Sequence, residues 1–267
     1  MDEVVVLGAG VGGLEVAGRL AVGARRGEYG LLLVDEEEAF AWEQILPVPE
    51  AEAVTRRVGR PSVSAWCAAR GVRFLRDVVV AAGWRQHELR TVQDRRLPWS
   101  QLVFARGEVP CAEELAALVA GPADATSGQP AIRAPRAPAC PLPPEVARVP
   151  DIDATLCLRA DSDAWAVGGP TTDPRTTAAM GRCVARNVRR ALARRVARPW
   201  RPPAAPAAEP PGWWVTAWVA RTFGLAAARV VAMELASRPH ERGGPAGPGP
   251  REEAGTRRVR VTAGTDG

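Results

Sequence analysis

Lysine is absent: all 35 basic side chains in the 267 residues are arginine, against 30 acids, for a formal charge of +5. A lysine Schiff base is therefore excluded. Histidine is nearly as scarce, with only His87 and His240, which leaves little for histidine triads or histidine-rich zinc sites. Aromatics make up 5%, with Tyr29 the one tyrosine. The cysteines, Cys67, Cys111, Cys140, Cys157 and Cys183, are odd in number and form no Cys-x-x-Cys pair. That pattern argues against a disulfide scaffold, a zinc ribbon or a vicinal redox pair, and reads as buried or incidental thiols. No run reaches the ~18–20 apolar residues of a membrane span, and the start of the chain is an acidic-then-apolar strand rather than a basic leader. A cytoplasmic location is expected. The Ala/Arg/Pro/Gly excess follows GC-rich coding, so the positive charge partly reports codon usage rather than selection for a partner.

What is present is globular composition, 46% hydrophobic and 24% charged, enough for one large domain or two small ones. The N-terminal segment carries the sharpest signal. Val4-Val5-Val6-Leu7 is a continuous apolar run suited to a parallel strand buried on both faces, and it leads into Gly8-Ala9-Gly10-Val11-Gly12-Gly13. Leu14, Ala17 and Leu20 then recur at helical spacing, and Leu31-Leu32-Leu33-Val34 forms a second buried strand ending in Asp35. Strand, glycine turn, helix, strand and terminal acid make the βαβ unit of the dinucleotide fingerprint. In that unit Gly8 allows the tight turn, Gly10 lets a pyrophosphate approach the backbone, and Gly13 lets the helix pack on the strand. The helix start offers free amides and its dipole to the phosphates, and Asp35 accepts from an adenosine ribose.

Beyond Asp35 an acidic run leads into a loop or short helix carrying Phe40, Trp42, Ile45 and Leu46. A helix is predicted from Arg60 to Ala69 with Trp66 facing inward, followed by a strand at 72–75. A meander of short antiparallel strands is read across 77–98, and Gln101–Ala105 is another buried strand closed by Gly107. Eight prolines lie between Gly121 and Pro150, a stretch that suits neither a helix nor a central strand. Order is expected again at 154–158 and in the strand Asp163–Val167 before Gly168-Gly169. A helix follows over Thr176–Arg195, with Met180, Val184, Val188 and Leu192 along one stripe.

This order of motifs, namely the first glycine fingerprint with Glu15 and Ala17, Asp35, Ala105-Arg106-Gly107, Thr155-Leu156 and Trp165-Ala-Val-Gly168-Gly169 before a helix, resembles the two-dinucleotide-binding-domain flavoproteins. Within them it is most similar to type II NADH dehydrogenases and sulfide:quinone oxidoreductases. The resemblance spans residues 2–110 and about 140–200. It implies an α/β, Rossmann-like FAD-binding domain, discontinuous over 1–110 and 140–200, with a parallel sheet, helices and a small antiparallel meander. By the same resemblance Gly8, Gly10, Gly13 and Asp35 hold the ADP half of FAD. Ala105, Arg106, Gly107, Gly168, Gly169, Thr176 and Thr177 lie toward the flavin. The family's Ala-x-Gly-Asp turn has Gly169 in place of the aspartate, and Arg106 replaces a small hydroxyl residue, although its guanidinium suits a phosphate or a flavin carbonyl. About 40 residues separate Gly107 from Asp151, where a second nucleotide-binding fold needs on the order of 100. The NAD(P)H site is therefore expected to be absent, replaced by a Pro/Ala-rich linker at 111–139.

From Arg175 to Arg201 there are nine arginines and no acid. A solvated helix face in a lysine-free chain accounts for this run, because no nucleic-acid motif accompanies it; an anionic surface or an acidic partner is the other reading. The segment 201–238, with Trp213, Trp214 and Trp218, is expected to pack or to form a homodimer interface, with peripheral membrane contact as the alternative. Residues 239–267 are read as a disordered tail with a short strand at Arg258–Thr262. No catalytic side chain and no metal site is identified. The expected function is an FAD-dependent oxidoreductase-like protein reduced to its flavin domain, passing electrons or hydride between an external donor and a small-molecule substrate or redox partner. A degenerate fold serving as a binding or assembly subunit, or as a non-redox catalyst, is the alternative.

Overall fold

The computed structural model describes residues 1–106, 153–158, 163–168, 173–202 and 212–237. Gly107, Gly169, Cys111, Cys140, the linker 111–139 and the tail 239–267 lie outside the described residues. The apolar runs read in the sequence become β1 (Glu3–Leu7), β2 (Gly30–Asp35), β3 (Arg73–Arg76), β7 (Gln101–Phe104) and β8 (Ala164–Ala166). They form one five-stranded sheet in the order β3-β2-β1-β7-β8, parallel at every pairing. The chain is α/β.

Alternation along the strands sorts side chains onto two faces. Val4, Val6, Leu31, Leu33, Val103 and Trp165 enter a core shared with the helices. Val5, Leu7, Leu32, Val34, Leu102 and Phe104 enter a second core with Val79, Leu89 and Trp99. The second core is capped by an antiparallel three-stranded sheet, β4 (Val79–Gly83), β5 (Glu88–Thr91) and β6 (Arg96–Pro98). This is the predicted meander. Trp84 stands edge-on to Trp99, and His87 stacks on Trp99 with ring centroids 4.3 Å apart.

On the helical face lie α1 (Val11–Arg25) and α4 (Pro174–Leu192). Gly181 comes close to the Gly12 carbonyl and to Glu15, so a side chain there would crowd the crossing. Glu15 is buried at this crossing and receives Arg19 at 2.7 Å, Arg221 at 3.1 Å and Arg182 at 3.8 Å. The α4 helix starts two residues before the predicted Thr176 because Asp173 caps it and Pro174 fits its first turn. It ends before the predicted Arg195, where Arg194 turns to a φ of +54°. The sequence reading did not foresee α2 (Val48–Val58), which follows a 3-10 turn at Trp42–Gln44. The short α3 (Val63–Ala68) is N-capped by Ser62.

Residues 212–237 form a helical hairpin, α5 (Trp213–Phe223) and α6 (Leu225–Ala236), which packs on the helical core. Phe223 fits among Phe40, Trp42 and Trp218, with centroids 4.9 to 5.7 Å away. The Trp66 indole N–H and the Arg70 guanidinium both donate to the Thr222 carbonyl, at 2.9 and 3.0 Å, meeting a carbonyl that the end of α5 leaves unpaired. Among the described residues no helix is long and apolar enough to cross a membrane.

Candidate dinucleotide site

Parallel sheets bind ligands at the carboxyl ends of their strands, where the strand order reverses. Here the chain leaves β1 toward β2 and β3 on one side and later adds β7 and β8 on the other. The C-terminal ends of β1 and β7 meet at that point: the Ala105 N–H donates to the Leu7 carbonyl at 2.8 Å, and Val167 N–H to the Phe104 carbonyl at 2.8 Å. Gly8, Ala105, Arg106 and Gly168 are thereby gathered on one edge.

The turn after β1 has the geometry its glycines imply. Gly8 has a φ of +101°, and a Cβ on it would fall 2.6 Å from the Ala105 carbonyl oxygen. A Cβ on Gly13 would overlap the Gly8 carbonyl oxygen. These contacts let α1 start directly above the strand. The helix start carries no side-chain cap and no acid in its first turn, so no side chain there takes up its leading amides or opposes its dipole, an arrangement that suits an anion. At Gly10 the nearest group is the Gln44 side chain, whose Oε1 would lie 2.7 Å from a Cβ built there. Gln44 is exposed, so it covers the glycine with a flexible side chain rather than with backbone.

Asp35 ends β2 beside this turn. One carboxylate oxygen accepts the Ala9 N–H at 2.5 Å and the other accepts the Glu37 N–H at 2.8 Å. A carboxylate has about four acceptor positions, so Asp35 both fixes the glycine turn and keeps capacity for ribose hydroxyls. Arg106 is exposed just after β7, with its Cα against Gly8.

The other end of the site is built differently. Gly168 is buried with a φ of +87°, a left-handed turn suited to glycine. Thr177 packs its methyl against Gly12, and the Thr176 N–H is taken by the Asp173 carboxylate at 3.0 Å, as is that of Arg175. Burial alone works against the charge on Asp173. The hydrogen bonds from the Thr176 side chain and from the Thr176 and Arg175 amides outweigh it and hold the carboxyl below its ordinary range. The start of α4 thus already carries a negative charge. Sequence reasoning missed two residues of this site, Gln44 and Asp173. Asp173-Pro174 is a legible helix-start signature, whereas nothing local in the sequence marks Gln44.

Cys67, Cys157 and Cys183 are all buried, and burial pushes the Cys67 thiol up to about 12. Among the described residues no group of histidines, cysteines or carboxylates could hold a metal ion.

The solved structures this chain is similar to are FAD/NAD-dependent oxidoreductases. One is the sulfide:quinone oxidoreductase of Aquifex aeolicus, at 19% identity over 40% of this chain and 25% of that one, with a TM-score of 0.34. Another is putidaredoxin reductase in its covalent complex with putidaredoxin, at 24% identity over 41% and 26%, TM-score 0.33. A third is an NAD-dependent persulfide reductase from A. fulgidus, at 18% identity over 41% and 22%, TM-score 0.32. The chain therefore spans about a quarter of the length of the structures it matches. No family model matches it, and no curated protein matches it.

Proposed function

We propose that the protein binds FAD through its ADP half and acts as an oxidoreductase reduced to a flavin-binding domain, using an electron donor supplied from outside the chain. The observation that carries this reading is the uncapped, acid-free start of α1 behind Gly8, Gly10 and Gly13, with Asp35 at the adjoining strand end. Amides and helix dipole match a pyrophosphate, and a carboxylate at that distance along the fold matches a ribose diol. Bound FAD supplies two-electron redox chemistry that no side chain here provides. The chain's own residues bind, orient and shield. Gln44 moves off Gly10 to admit the pyrophosphate, Arg106 offers a guanidinium to phosphate or flavin oxygen, and the meander side of the sheet stays closed by its tryptophans.

The flavin end is expected to be the weaker half, since Gly169 supplies no carboxylate for the ribityl chain and Asp173 occupies the start of α4. ADP-ribose should accordingly bind nearly as tightly as FAD. The test is Gly10→Val, which places a branched side chain where the pyrophosphate approaches. It should remove binding of both ligands while leaving the circular dichroism spectrum intact. Unchanged binding of ADP-ribose in that variant would overturn the assignment of the cradle.

A further inference from the structure

Part of the arginine run that the sequence assigns to a solvated face is exposed yet lines a concavity. Arg182, Arg186 and Arg189 follow one another at helical spacing along α4, and with Arg19 of α1 and Arg198 and Arg201 they line an open cleft of about 760 Å³. Arg198 and Arg201 reach it because the chain after α4 folds back. Asn187, fully buried, clasps that return: its carboxamide N–H donates to the Arg198 carbonyl at 2.9 Å and its oxygen accepts the Arg198 N–H at 2.9 Å. The backbone N–H of Trp200 then donates to the Ala154 carbonyl at 2.7 Å, and Trp200 lines the cleft. Glu15 takes up part of the charge of Arg19 and Arg182. Among the described residues, no carboxylate lies within ion-pair distance of Arg186, Arg189, Arg198 or Arg201.

The clasp keeps the backbone of Arg198 beside α4, so six arginine side chains line one concavity, and a multiply charged anion relieves the repulsion among their charges. We propose that this cleft is a binding site for a small polyphosphate anion, of the tripolyphosphate or nucleoside polyphosphate class. Guanidinium forks match phosphate oxygens in pairs. A cleft of this volume suits a small molecule, and a polyphosphate chain concentrates several charges in a small volume against the arginines that line it. An acidic peptide spreads its charge more thinly, and a nucleic-acid duplex does not enter such a concavity. Burial, followed by the neighbouring cations Arg19, Arg221 and Arg175, disfavours the charge on Arg182 despite Glu15, which agrees with crowded positive charge at this place.

The test is calorimetric titration of the full chain with sodium tripolyphosphate. One saturable site per chain is expected, weakened at least tenfold in Arg186→Gln/Arg189→Gln. The charge-matched control Arg194→Gln/Arg195→Gln, in the exposed turn outside the cleft, should lose less than threefold. Gly10→Val should leave the binding unchanged; its loss there would place the anion at the start of α1 and overturn the proposal. Equal losses in the two glutamine pairs, or no saturation, would reduce the cleft to diffuse charge. Orthophosphate binding as tightly as tripolyphosphate would overturn the polyphosphate class, as would a single-stranded oligonucleotide that binds and is not displaced by tripolyphosphate.

Discussion

Asp35 is where the account is most exposed to a single substitution. Its carboxylate holds the glycine turn through Ala9, and in the proposed function it also accepts from a ribose. Asp35→Asn removes the charge and half the acceptors, so ADP-ribose should bind about 10- to 100-fold more weakly, the equivalent of about 1.5–3 kcal/mol for hydrogen bonds to a charged group. Fluorescence or calorimetric titration reads this directly. Asp173 tests pH dependence. Its carboxyl is held below the usual range in the folded chain, so it binds protons less readily than in the unfolded chain. Its stabilising contribution is therefore present above about pH 4 and lost as pH falls through the lower folded value. Asp173→Ala should cost about 1 kcal/mol in denaturant melts at neutral pH, the usual cost of a lost N-cap. The gap should narrow, without closing, as acid protonates the wild-type residue, because a neutral carboxyl still accepts; Asp173→Asn, which keeps an acceptor oxygen, should hold most of the stability at neutral pH. A gap that does not narrow on acidification would contradict the part assigned to the charge. Cys67, pushed up to about 12 by burial, is expected to resist alkylation at pH 8 until the chain is unfolded, which peptide mass spectrometry would show.

At the scale of elements, the helical hairpin fixes the surroundings of the glycine turn. Phe223 at the end of α5 packs on Phe40 and Trp42, and Trp42 begins the 3-10 turn that ends in Gln44. Phe223→Ala should cost about 2–3 kcal/mol in a chemical melt, below the ~3–5 of a fully buried phenylalanine because Phe223 is half-buried. It should also loosen Gln44 over Gly10, read as faster hydrogen exchange at the turn. Melting unchanged by that substitution would mean that the hairpin does not support the core. This coupling was not legible in the sequence. Phe40, Trp42 and Phe223 are far apart along the chain, and no period links them. The α2 helix went unforeseen although its start is compatible with its prolines: Pro47 is the N-cap and Pro49 sits in the first turn, where a missing N–H costs nothing.

On the scale of the whole molecule, the sheet was legible because a strand buried on both faces writes itself as an unbroken apolar run, as in Val4–Leu7 and Leu31–Val34. The meander was legible through its short alternating segments. Half of the candidate site was legible. Gly8, Gly10, Gly13 and Asp35 lie in one contiguous βαβ unit whose spacing is fixed by geometry, so the sequence carries them. Gln44 over Gly10, and the fold-back that brings Arg198 to Asn187, depend on chain reversals that no local pattern encodes. The central claim is that this edge of the sheet is a working dinucleotide cradle with its ADP-binding half intact. Titration of the purified full chain, first freed of any endogenous ligand, with FAD and separately with ADP-ribose tests it most directly. One saturable site per chain for each, with ADP-ribose within about tenfold of FAD, is the result the account predicts; a chain that takes up neither would contradict it.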